Sequence, residues 1–82
     1  MIETANQVYD FAYRMIEQSR AAGHDDVAQS LDDAMHLGSS GLEILGAIGN
    51  VLSGYKNTIE KFASESEIEE VVRFVNRAFG RD

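Results

Sequence analysis

The sequence predicts an all-α domain, a small antiparallel four-helix bundle with helices over residues 4–22, 25–37, 41–63 and 66–79. Three observations carry that prediction. Apolar side chains recur every three or four positions in four successive stretches, the spacing that lines one side of a helix. Proline is absent, so nothing in the chain forbids long helices. The stretches open on Ser, Thr or Asp and are separated by short polar or glycine-containing connections, the pattern of capped helix ends. The 82 residues make one domain, 1–82.

The first helix starts at Thr4, where Thr4 and Gln7 form a T-x-x-Q capping box. Ala5, Val8, Tyr9, Ala12, Met15 and Ile16 fall on its inner side, and Asp10 can pair with Arg14 one turn on. Gly23 suits a left-handed exit after Ala22. In the second helix Asp25 reads as the cap, with Asp26 beside it at the positive end of the helix dipole. Val27, Ala28, Leu31, Ala34 and Met35 face inward, and Gly38 stops the helix.

The third helix is the longest. Ser40-Gly41-Leu42-Glu43 is a second capping box. Ile44, Leu45, Ile48, Val51, Leu52, Tyr55, Ile59 and Phe62 keep one phase through Gly54. One continuous helix over 41–63 follows, and a break at Ser53-Gly54 is the alternative. The fourth helix starts at Ser64 or Ser66, turns Ile68, Val71, Val72, Val75, Ala78 and Phe79 inward, and ends at Gly80.

Composition narrows function. Fourteen acids against seven bases give a net charge of −7. Residues 1–41 hold seven of those acids with only Arg14 and Arg20 as bases, so the excess is strongest in the first half. Phosphate contacts need clustered Lys and Arg, so nucleic acid is an unfavoured partner. No stretch of about 18 apolar residues is present to span a membrane. The first residues lack the basic start and apolar run of a secretory signal, and cysteine is absent, so a cytoplasmic location is expected.

Catalytic and metal-binding patterns are weak. The carboxylates fall on outward faces or in caps, and no Ser/His/Asp arrangement stands out, so a non-enzymatic protein without cofactor or metal is expected. His36 follows Asp32 and Asp33 by a turn, and His24 abuts Asp25 and Asp26, but one helix cannot close a metal site. Gly38-Ser39-Ser40-Gly41 lacks the Gly-Lys-Ser/Thr of a phosphate-binding loop.

Two resemblances centre on the same segment. A serine ahead of a helix, mid-chain in a small acidic helical domain, resembles the acyl carrier proteins, which carry a phosphopantetheine arm on the serine of an Asp-Ser-Leu motif. That would make Ser40 the attachment site, but Ser39 and Gly41 stand where the motif has Asp and Leu. Ser39-Ser40-Gly41-Leu42-Glu43-Ile44-Leu45 also resembles the Gly/Ser-Ser/Thr-Gly-x-Glu-Ile-Leu stretch of small bacterial helical proteins of unknown function. It spans about a third of the chain with its flanks, and implies a helical fold and a bacterial source but no activity.

The leading expectation is a protein–protein interaction module, such as a small acidic inhibitor of the immunity or antitoxin type that meets a basic partner; a homodimer is the other expected association. The expected surface comprises Asp25, Asp26, Asp32 and Asp33, with Phe11 or Tyr13 as an apolar anchor. Gly46, Asn50 and Ser53 form a small, uncharged strip away from the core arc, and Phe74 flanks the fourth helix, as Leu37 and Leu42 flank the second and third. Aromatic residues at such margins are enriched in interfaces.

Overall fold

The computed structural model describes residues 2–37 and 40–80. The chain is all-α, with five helices among the described residues: α1 (Ala5–Ala21), α2 (Asp25–Met35), α3 (Gly41–Gly54), α4 (Lys56–Ile59) and α5 (Glu65–Ala78). This corrects the expected antiparallel four-helix bundle. The stretch over 41–63 is not one helix: Tyr55 leaves the helical region at φ −119°, ψ 30°, and a single-turn helix follows it. Gly54, a poor helix former, is the last residue of α3, and Tyr55 caps it. The apolar phase survives because the next turn resumes the same spacing, so Ile59 is still buried while Tyr55 and Phe62 are partly buried.

The packing also departs from a simple bundle. In a four-helix ring the first and third helices lie on a diagonal, whereas here α3 packs directly against α1 as well as α2, α4 and α5. The sequence of α3 suits that central place: Glu43 is its only charged residue. Leu45, Ile48 and Leu52 are buried, and Ile44, Ala47 and Val51 are partly buried beside them. They join Val8, Phe11, Met15 and Ile16 of α1, Val27 and Leu31 of α2, and Ile68, Val71 and Val75 of α5 in one core.

Local chemistry fixes the helix ends. Thr4 accepts from the Gln7 amide at 3.3 Å, and the Gln7 side chain accepts from the Thr4 amide at 3.0 Å, completing the capping box. Ser40 and Ser64 accept from the Glu43 and Glu67 amides at 3.2 and 3.1 Å. Ser64, not Ser66, therefore starts the last helix. Asp25 is the first helical residue of α2 rather than its cap; the cap position is His24, whose side chain makes no capping bond. Gly23, at φ +84°, allows a Schellman exit from α1: its amide bonds to Arg20 O at 3.2 Å and the His24 amide bonds to Ser19 O at 2.8 Å. α2 ends at Met35, and Gly38 lies outside the described residues. Arg14 pairs with Glu67 of α5 at 2.5 Å instead of with Asp10, tying α1 to α5. Both partners are partly exposed, so the pair adds at most about 1 kcal/mol.

The contact between α3 and α5 depends on missing side chains. A Cβ on Gly49 would stand 3.2 Å from Val75 Cγ1, and one on Gly46 would stand 2.9 Å from Phe79 Cζ. Val75 is buried and β-branched, so it has little freedom to yield. Around Gly54 nothing lies within 4 Å of such a Cβ. Gly54→Ala is therefore expected to raise stability by up to about 1 kcal/mol through helix propensity. Gly49→Ala is expected to lower it by about 1 kcal/mol, because the clash outweighs the same gain. Urea unfolding of both variants checks this, and equal shifts would contradict the close contact.

Ser19 is fully buried in α1, and its Oγ has no hydrogen-bond partner among the described residues. An unsatisfied buried hydroxyl costs about 1–3 kcal/mol. Ser19→Ala removes that group without removing a methylene and adds helix propensity. It is expected to stabilise by about 1 kcal/mol in thermal unfolding; a lower melting temperature would show that the hydroxyl is bonded in solution.

Candidate interaction surfaces

α2 turns its inner side, Val27, Ala28, Leu31 and Ala34, to the core. The helical repeat then places Asp25, Asp26, Asp32 and Asp33 together within an arc of about 120° on the outer side, with Gln29 in the middle. Asp25, Asp26 and Asp33 are exposed and Asp32 is partly buried. Gln29 Nε2 donates to Asp33 Oδ1 at 2.8 Å. His36 Nδ1 lies 2.8 Å from the Asp32 carbonyl oxygen and 3.6 Å from Asp32 Oδ1. α2 carries no Lys or Arg, and among the described residues no Lys or Arg pairs with these four carboxylates.

The position of Asp32 and Asp33 is costly. They occupy the last turn of α2, where the helix dipole presents its negative end and no Lys or Arg offsets it; His36 caps the helix beside Asp32. A carboxylate there is destabilising by about 0.3–1 kcal/mol. Asp25 and Asp26, at the opposite end, are favourable by a similar amount.

The other expected surface residues do not join this arc into one patch. Phe11 is only 2% exposed and belongs to the core, with the Arg14 guanidinium 5.4 Å above its ring, so it is not available as an anchor. Tyr13, two positions on, is 50% exposed. Gly46 and Asn50 line a narrow cleft of about 170 Å³ between α3 and α5. Of the small strip, Gly46 serves helix packing, with Phe79 resting over it, while Asn50 and Ser53 are exposed. Phe74 is partly buried and lines a shallow hollow of about 510 Å³ with Ile2, Glu3 and Arg73. Ser40 is exposed and its hydroxyl is engaged as the α3 cap; Ser39 lies outside the described residues.

Two features escaped the sequence reading. The first is an open groove of about 430 Å³ at the other end of the α3–α5 contact, lined by Leu52, Ile68 and Val72 with Lys56, Glu69 and Arg73 around it. Its signal was present: Glu69, Arg73 and Asn76 run at i, i+4 and i+7 beside the apolar stripe of α5. The second is Phe79, assigned to the inner face but 39% exposed at the end of α5.

His24 stacks edge-on against Phe62, with ring centroids 6.0 Å apart. No group of three His, Cys, Asp or Glu that could hold a metal occurs among the described residues. No described helix is long and apolar enough to cross a membrane. Comparison of the chain with family models, with curated proteins and with solved structures finds no match.

Proposed function

We propose that the chain is a non-enzymatic interaction module whose acidic outer face of α2 engages a basic protein partner. The observation that carries this reading is the arc of Asp25, Asp26, Asp32 and Asp33, without a Lys or Arg partner among the described residues. Two of the four sit where they weaken their own helix. Gln29 and His36 give Asp33 and Asp32 local polar partners, and no Lys or Arg among the described residues neutralises the face. A concentrated negative face steers a positively charged partner and rejects an acidic one. A small acidic inhibitor of a basic toxin is the concrete form of this function.

Affinity capture from a bacterial lysate compares the native chain with the variant Asp25→Asn/Asp26→Asn/Asp32→Asn/Asp33→Asn. A basic protein held by the native chain, released by added salt and missed by the variant supports the proposal. Identical capture by both chains overturns it. In parallel, Asp32→Asn/Asp33→Asn alone is expected to raise folding stability by about 0.5–1 kcal/mol while weakening capture. That opposition of signs separates a binding role from a folding role.

A further inference from the structure

The groove between α3 and α5 has the make-up of a small-ligand site. Leu52 and Ile68, both buried, and the partly exposed Val72 form its apolar floor, with Lys56, Glu69 and Arg73 around it. Sites for small molecules combine an apolar lining with a few polar groups that fix orientation, in volumes of about 300–1,000 Å³. At about 430 Å³ the groove lies toward the lower end of that range. Lysine and arginine carry apolar stems beneath their charged heads, so these two side chains can cover a ligand's tail as well as meet its charge.

The rim decides the sign of the ligand. Lys56 and Arg73 are exposed, and neither forms an ion pair among the described residues. Glu69 stands four residues before Arg73, a spacing at which the two could pair along one helix, yet they make no salt bridge. Two cations against one acid leave the rim net positive by one, in a chain of net charge −7. That excess matches a single negative charge. It is too small for a nucleic acid, whose binding rests on many phosphate contacts. The acidity of the whole chain also opposes an anionic membrane surface.

We propose that the α3–α5 groove binds a small amphiphilic monoanion, a single-chain carboxylate whose apolar chain lies on Leu52, Ile68 and Val72 and whose head meets Lys56 and Arg73. The planar guanidinium of Arg73 offers paired donors to a carboxylate, and Lys56 adds a compact point charge. Burial of the chain supplies the attraction, and the two cations set its direction. This goes beyond the proposed partner of α2, because no α2 residue lines the groove.

The probe is sodium decanoate, kept below its micelle-forming concentration and titrated into the isotope-labelled full chain with amide chemical shifts as the readout. Saturable shifts are expected at Leu52, Ile68, Val72 and Asn76, which line the groove, and not along α2. Lys56→Gln/Arg73→Gln, confirmed as folded by far-ultraviolet circular dichroism, is expected to bind at least about tenfold more weakly. Glu69→Gln is expected to bind more tightly, because it removes the opposing charge. Lys61→Gln, a cation outside the groove, is expected to match the native chain. Decanol, which lacks the charge, and acetate, which lacks the tail, are each expected to bind at least about tenfold more weakly than decanoate. Decanol or acetate binding as well as decanoate, shifts spread over the surface, or no saturable shift overturns the proposal. Binding to anionic phospholipid vesicles in preference to free decanoate overturns it too, and assigns the two cations to a membrane surface.

Discussion

The close approach of α3 and α5 at Gly49 governs the rest of the molecule. With hydrogen in place of a side chain at that position, Val75 enters against the α3 backbone and stays buried. At one end of this contact Phe79 rests on Gly46; toward the other the space between the helices widens into the groove above Leu52 and Ile68. With α5 and α2 both packed on it, α3 buries Leu45, Ile48 and Leu52 while its two ends and Asn50 stay exposed. A helix with a single charged residue can exist in a chain this small only under those conditions.

The same arrangement explains why the surfaces divide as they do. α2 is an outer helix, so half of its circumference is free, and the chain concentrates carboxylates there. Placing two of them at the negative end of the helix raises its free energy, against which stand the Gln29–Asp33 hydrogen bond and the His36–Asp32 contact. α5 is amphipathic in a different manner: its inner residues meet α3, while Arg73 borders a groove together with Glu69. Charge of one sign therefore gathers on α2, while Lys56 and Arg73 border the groove between α3 and α5.

Sequence periodicity located the helices because each buries a stripe at helical spacing, and Thr4, Ser40 and Ser64 marked their starts through ordinary capping chemistry. Periodicity could not reveal the interruption at Tyr55. One residue off the helical path scarcely disturbs a spacing of three or four, and Ile59 reaches the core in either conformation. Nor could it fix the arrangement of helices. A stripe shows that a side is buried, not which neighbour covers it, and α3 proved to have four. Gly46 and Gly49 have covers, Phe79 and Val75, that were unreadable until α5 was placed against α3. The acidic arc was legible because it requires only the geometry of one helix. The groove was not, because it requires two helices and the angle between them.

The most direct measurement of the central claim is a nuclear Overhauser spectrum of the labelled chain in solution. Strong cross-peaks between the Gly49 α-protons and a Val75 methyl group are predicted, since a Cβ on Gly49 would lie within 3.2 Å of Val75 Cγ1. If those cross-peaks are absent while Val75 methyls instead meet α2, α3 does not lie between the two helices and the account of both fold and surfaces is contradicted.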